Sequence, residues 1–396
     1  MNTVLTINPN TFLWMEGNFG LLYDSRSYIS YEFEITSSIE ELCLSLINPD
    51  NLYSVTLDMS STDPYLKNFI EKIVACGFGL LHDNMSGYLV SYPPLLNIQN
   101  SWEKICKRGN DAYCEVLQYL SSVTVYTGGK CVDTELYKQT IYPVNSIQCL
   151  SSETILRFIA SIYTSHLSKI NIVFSSMHEY HDRDELLDGL KDYEDIIAIY
   201  LRAEELTHDS IKEMIRNNSG FSWRIIYTFG CNVKIDGLSN EFIKQIFLVT
   251  SRKEYLETVE QCIRNNVEHY DIVPVFNGDN IDFFEDEMMV TKEEILGRHL
   301  ERREVFAHMS VNVNYWGHFS VMPDGGVYAN LNDNSIGSIN DSIYNLIENE
   351  MRENTAWRYT RDNKLLCSKC LLKYLCPSPS SYEHVMNLNC ICIGNT

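Results

Sequence analysis

The sequence predicts an α/β fold, with a small unit before the main sheet and a cysteine-rich unit after it. Three observations lead there. Between about residue 120 and residue 300, short β-branched runs alternate with amphipathic stretches. The first 95 residues place aromatic-rich strand candidates ahead of helical ones, and five of the chain's 13 cysteines crowd into its last thirty residues. Strand and helix in alternation is the pattern of a parallel sheet, open or closed into a partial barrel. At 396 residues the chain is long enough for two or three domains with cores of their own, and it divides into 1–95, 96–300 and 301–396.

Bulk properties narrow the class. The apolar fraction is 45% and no apolar run approaches the roughly eighteen residues of a membrane helix, so a soluble protein is expected. Met1-Asn2-Thr3-Val4-Leu5-Thr6 lacks a basic segment followed by an apolar one, which points to the cytoplasm and to reduced thiols. A formal charge of -22 argues against nucleic acid, whose binding needs a basic stripe. A neutral or basic partner suits that charge better.

In chain order, Thr11–Glu16, Phe19–Tyr23 and Ser27–Phe33 read as three strands, with turns at Gly17-Asn18 and Asp24-Ser25. Ser37 with Glu40 reads as a capping box opening a helix that would bury Ile39, Leu42, Cys43 and Leu46. A second helix is predicted from Pro64 to Gly77, with Leu66, Phe69, Ile70, Ile73 and Val74 at helical spacing. Six further strands are expected at Val123–Tyr126, Ile170–Phe174, Ile196–Tyr200, Trp223–Tyr227, Ile246–Val249 and Ile272–Val275. Helices at Ser152–Ser165, His208–Asn217 and Glu254–Asn265 lie between them. The acidic run Asn277–Asp286 is expected as a solvated loop, since Asp279, Asp282 and Glu285 fit no calcium-loop spacing. Cys43, Cys76, Cys106, Cys114, Cys149, Cys231 and Cys262 are expected as buried inert thiols, and His178 and His181 as surface residues.

The C-terminal cysteines have metal-ligand spacing. Cys367 and Cys370 form a C-x2-C pair, Cys376 follows, and Cys390 or Cys392 returns beyond the Pro-rich bend to complete four thiolates. A 4Fe-4S cluster and a structural Zn2+ both satisfy that pattern. A disulfide-stapled or merely reduced tail explains it less well, because clustered cysteines without a secretion signal are more often ligands.

These residues also carry a resemblance. The C-x2-C-x5-C run, preceded by Pro323-Asp324-Gly325-Gly326-Val327-Tyr328-Ala329-Asn330 and Ile336-Gly337, resembles the SPASM extension of radical SAM peptide maturases. The resemblance implies one auxiliary 4Fe-4S cluster on Cys367, Cys370, Cys376 and Cys390. It also implies loss of a second cluster, for which Asn330 and Ser380 stand at ligand positions. The strand–helix region is similar to the partial (β/α)6 barrel of radical SAM enzymes. The N-terminal 95 residues resemble a PqqD-like winged-helix domain, a RiPP recognition element, where RiPP denotes a ribosomally made and later modified peptide. Such a domain captures a precursor leader as an added strand.

The radical SAM signature is missing. After the strand at Val125 the family places C-x3-C-x2-C, whereas this chain offers Cys131, then Glu135 and Lys138 where cysteines would follow. One thiolate, a carboxylate and an ammonium do not hold that cluster. The glycine-rich S-adenosylmethionine motif after the second strand is replaced by Ser175-Ser176-Met177. Together with the ending Leu375–Glu383, these features are similar to the pseudo-radical-SAM/SPASM proteins encoded in Bacteroidales beside a radical SAM maturase and a Gly-Gly-leader precursor. The resemblance implies a non-catalytic accessory protein whose partners are the precursor leader and the maturase. Two other readings stand beside it. One is an enzyme of non-radical chemistry, for which no nucleophile–base motif or phosphate loop is present; the other is a zinc-stabilised scaffold.

Overall fold

The computed structural model of the chain describes residues 2–60, 62–83, 91–92, 94, 116–132, 134–164, 166–228, 241–353 and 355–392. Strands β1 (Asn2–Ile7), β2 (Thr11–Glu16), β3 (Phe19–Asp24) and β4 (Ser30–Glu34) precede helix α1 (Ser37–Ile47); β5 (Ser54–Asp58), α2 (Pro64–Ala75) and β6 (Gly79–Asp83) follow. They make two antiparallel sheets of three strands, ordered β2-β3-β4 and β5-β1-β6. The expectation of three strands followed by helices is therefore corrected, because β1, β5 and β6 add a second sheet interleaved with the helices. β5 and β6 each run five residues and pair with β1 across intervening helices, so no local turn announces them.

Two boundaries also move, for reasons visible in hydrogen bonds. The cap of α1 is Thr36, whose hydroxyl accepts from the Ile39 amide at 3.4 Å, so Ser37 is the first helical residue rather than the cap. β4 starts at Ser30 because the Asp24 carboxylate accepts from the amides of Arg26 and Ser27 at 3.0 and 2.8 Å and from the Ser27 hydroxyl at 3.0 Å, closing a turn. The expected helix faces hold: Ile39, Leu42, Cys43 and Leu46 of α1 are buried, and so are Phe69, Ile70 and Ile73 of α2.

The large sheet is built by β7 (Ser122–Tyr126), β10 (Lys169–Val173), β11 (Ile197–Arg202), β12 (Ser222–Tyr227), β13 (Ile243–Val249) and β14 (Tyr270–Pro274), all six parallel and neighbours in chain order. A small hairpin of β8 (Gly128–Gly129) and β9 (Ser146–Cys149) follows β7. Helices α3 (Ser152–Ile162), α4 (Arg183–Leu190), α5 (Asp209–Asn217) and α6 (Arg252–Arg264) lie in the connections. Burial of β-branched residues on both faces explains the near-continuous apolar runs, as parallel sheets require.

Beyond β14 come α7 (Ile281–Glu287), α8 (Lys292–Leu296) and α9 (Arg302–Ser310). The acidic run Asn277–Asp286 is thus not wholly a loop: α7 occupies most of it, anchored by buried Phe283 and Phe284, while Asp279, Asp282 and Glu285 stay exposed. The chain then returns to the opposite side of β7 as β15 (His318–Val321), parallel to it with His318 opposite Ser122. β16 (Gly326–Tyr328) and β17 (Gly337–Ser338) continue antiparallel, giving nine strands with β14 and β17 at the two ends of an open order. Gly317 (φ +71°) makes this junction possible: a Cβ there would lie 2.6 Å from the Tyr119 carbonyl oxygen. Helices α10 (Ile343–Glu353) and α11 (Ser381–Val385) follow.

One face of the large sheet packs Val123, Val125, Ile170, Ile172, Trp223 and Ile225 against the helices. The other gathers Tyr126, Val173, Ala198, Tyr200, Ile226, Ile246 and Leu248. Among the described residues, no helix is long and apolar enough to cross a membrane. The expectation for the scattered cysteines needs correction. Cys43 and Cys262 are buried, but Cys76 and Cys149 are exposed, the first as the C-terminal cap of α2 and the second on the thin β8-β9 hairpin. Cys106, Cys114 and Cys231 lie outside the described residues.

Candidate functional site

A lobe formed by residues 355–392 carries all five C-terminal cysteines. Cys367 opens a 3-10 turn through Lys369, and the Cys370 amide donates to the Cys367 carbonyl at 2.9 Å, which brings the C-x2-C pair onto one turn. A second turn, with the Cys376 amide donating to the Leu372 carbonyl at 2.9 Å, carries Cys376 back toward them. Cys367 and Cys376 are buried, and Cys370, Cys390 and Cys392 are half-buried.

The sulfurs share one electrostatic neighbourhood. The Cys367 thiol donates to Cys390, which raises the pKa of Cys367, with burial adding to the rise. That same bond lowers Cys390 to about 6 against the opposing effect of burial, helped by the Cys392 amide donating to Cys390 Sγ at 3.2 Å. Burial raises Cys370, Cys376 and Cys392, each of which also feels the charge of Cys390. The thiols are not drawn to ligand distance: among the described residues, no group of three His, Cys, Asp or Glu side chains is placed to hold a metal ion. In kind, the donors suit a thiophilic centre: several thiols share one neighbourhood with a buried guanidinium.

That guanidinium belongs to Arg361, which is 1% exposed. It donates to both carboxylate oxygens of Glu383 at 2.7 and 2.8 Å, through Nε to the Pro377 carbonyl at 2.7 Å, and more loosely to Cys367 Sγ at 3.8 Å. Lys364 adds a 2.6 Å bond to Glu383 and a 2.9 Å bond to the Leu388 carbonyl. Burial works against the charge of Glu383, but Arg361 and Lys364 outweigh it and hold its carboxyl below the usual range. Glu383 also accepts from the Ser380 amide at 3.2 Å, closing a capping box on α11. One carboxylate therefore fixes the last helix, the Pro-rich bend and the cation beside the thiols. Glu383 lies within the ending Leu375–Glu383 that sequence singles out, whereas no spacing or periodicity marks Arg361.

The N-terminal sheet packs onto this lobe. Phe12, Leu21 and Tyr23 share a core with Ile295, Leu300, Val305, Leu372, Leu375 and Cys376. The Tyr23 hydroxyl donates to the Leu300 carbonyl and accepts from the Leu300 amide, both at 2.8 Å. Tyr23→Phe removes both bonds and leaves two buried backbone groups unpaired, a cost of about 1–3 kcal/mol. A urea melt of this variant is expected to show a lower midpoint with unchanged slope.

The positions of the missing radical motif lie after β7. Lys138 Nζ donates to Glu135 Oε1 at 2.6 Å, and this bond raises the Lys138 pKa. Cys131 is half-buried, with its amide donating to Asn145 Oδ1 at 3.2 Å. After β10, the Ser175 hydroxyl donates to the Val144 carbonyl at 2.6 Å, and Ser175, Ser176 and Met177 are all buried. His178 and His181 are exposed, as expected, and the His178 ring stacks on His208 at 4.0 Å.

No protein-family model matches the chain, and none of the curated proteins is matched by its sequence. Solved structures similar to it include Streptococcus suis SuiB bound to precursor peptide SuiA, at 11% identity and a TM-score of 0.44, covering 98% of this chain and 98% of that one. SuiB bound to S-adenosylmethionine aligns at 10% identity and a TM-score of 0.41, over 98% of this chain and 97% of that one. Native anSMEcpe with bound AdoMet and Cp18Cys peptide aligns at 12% identity and a TM-score of 0.38, over 67% of this chain and 96% of that one.

Proposed function

We propose that this chain is a non-catalytic accessory protein in the maturation of a ribosomally made peptide. Residues 1–95 capture the leader of the precursor, the sheet region 96–300 docks a radical SAM maturase, and residues 301–396 carry one 4Fe-4S cluster on Cys367, Cys370, Cys376 and Cys390. The observation that carries the reading is the Glu135–Lys138 ion pair in the segment after β7. Radical initiation needs three thiolates converging there. A carboxylate bonded to an ammonium supplies none, and the nearby Cys131 is a single thiol.

Leader capture draws support from the N-terminal sheets. Among the described residues, β2 and β4 are the outer strands of the β2-β3-β4 sheet, the position at which strand addition takes place. In the cluster, the thiolates supply the ligands and Arg361 the compensating charge; once bound, such a cluster contributes structural cross-linking and a redox level set by its surroundings. The test is binding by the full chain, without S-adenosylmethionine, of the precursor peptide and the radical SAM maturase encoded beside it. Micromolar capture of the leader, together with co-elution of the maturase, is expected. Failure to bind either one contradicts the proposal.

A further inference from the structure

The face of the large sheet turned away from its helices holds a cavity of about 490 Å3, a size suited to a small ligand. Ser122 and Thr124 of β7, Lys169 and Asn171 of β10, and His318 and Ser320 of β15 line it. Most of this wall is internally satisfied. The His318 ring nitrogens sit 2.9 Å from the Ser122 hydroxyl and 3.2 Å from the Ser320 hydroxyl. Burial, with a smaller push from Lys169, brings His318 down to about 4, so its ring is neutral at pH 7. The Asn171 amide nitrogen donates to the Thr124 hydroxyl at 2.9 Å.

On strand β10, two groups are left over. Asn171 is 2% exposed, yet its Oδ1 has no hydrogen-bond partner. Such an orphan in a native fold calls for an explanation, and a ligand is one. Lys169 makes no ion pair among the described residues, although Arg224 and Lys244 crowd it with positive charge. Asp271, the carboxylate within reach, is already held by Lys244 at 2.6 Å. The two groups are alternate residues of β10, so they face the same way about 7 Å apart along the strand.

We propose that this cavity binds an α-amino carboxylate, with the carboxylate paired to Lys169 and the neighbouring N–H donated to Asn171. Either orientation of the Asn171 amide leaves one of its ends unpaired, and such a ligand offers a donor for one and an acceptor for the other. The chemistry is shared by a free amino acid and by the C-terminal residue of a peptide, while Trp316 and Tyr382, which also line the cavity, give a side chain aromatic surface to rest on. The inference stands apart from the accessory role, since it uses neither the cysteines nor the leader.

Calorimetric titration of the full chain tests it, with free amino acids, their N-acetyl derivatives and their carboxamides as probes at up to about 10 mM. At least one carboxylate probe is expected to bind and its carboxamide not to. Lys169→Gln is expected to weaken binding by about tenfold, and Asn171→Ala to weaken it as well. Preference for the N-acetyl form assigns the site to a peptide terminus; preference for the free form assigns it to an amino acid. Silence of every carboxylate probe overturns the proposal, and so does equal binding of the carboxamides or unaltered binding by Lys169→Gln. The Lys169 side chain stands at the exposed start of β10, so that variant reports on the site even where Asn171→Ala does not fold.

Discussion

Glu383→Ala is expected to destabilise the chain by roughly 3–5 kcal/mol, because it strands a buried guanidinium. Arg361 is 1% exposed and Glu383 2% exposed, and the two share bonds of 2.7 and 2.8 Å. Removing one partner leaves the other charge in a low dielectric without compensation. Replacing both, as Arg361→Met with Glu383→Leu, is expected to cost less than Glu383→Ala alone. Urea denaturation of the three proteins measures this order. A loss below about 1 kcal/mol for Glu383→Ala would mean that the pair is as weak as an exposed one. The sign with pH follows from the direction of the shift. A carboxylate whose folded pKa is depressed contributes stability above its unfolded pKa of about 4.3, and the contribution disappears as pH falls through the folded value. Wild type is therefore expected to lose stability in that acid window to a degree that Glu383→Gln does not.

The second large effect lies where the N-terminal sheet meets the thiol lobe. Leu375 is 1% exposed and Phe12 is 1% exposed, and both belong to one core that also holds Tyr23 and Cys376. Leu375→Ala is expected to cost about 2–5 kcal/mol and Phe12→Ala about 3–5 kcal/mol. Because the two sites share neighbours, the double variant is expected to depart from the sum by about 0.5–3 kcal/mol. Simple additivity would indicate that the sheet and the lobe are energetically separate, and leader capture would then have no route to the thiol site through packing. Chemical denaturation followed by tryptophan fluorescence reports on the junction directly, since Trp14 stands 5.5 Å from Tyr374 across it.

The six parallel strands were legible because each is a short β-branched run bounded by polar turns, a signal carried entirely by local sequence. β5 and β6 escaped it because their partner β1 is distant in sequence. The start of α1 was misplaced by one residue, since Thr36 and Ser37 are both able to cap and only the backbone conformation decides between them. α7 hid in an acidic run because Phe283 and Phe284 supply too few apolar positions to show a period. In the candidate site, cysteine spacing was visible at once. Arg361 was not, because its meaning comes from Glu383 and Cys367, which folding alone brings beside it. The cavity had a faint trace: Lys169 and Asn171 interrupt the apolar strand β10 at alternate positions, and hence on one face.

Iron, sulfide and zinc per chain, measured after anaerobic purification of the intact protein and of Cys370→Ser, test the proposed metal centre most directly. About four irons with matching sulfide in the intact protein, lost in the variant, are the predicted result. About one zinc without sulfide would contradict the cluster and make the lobe a structural clasp; no metal in either protein would contradict a metal centre of any kind.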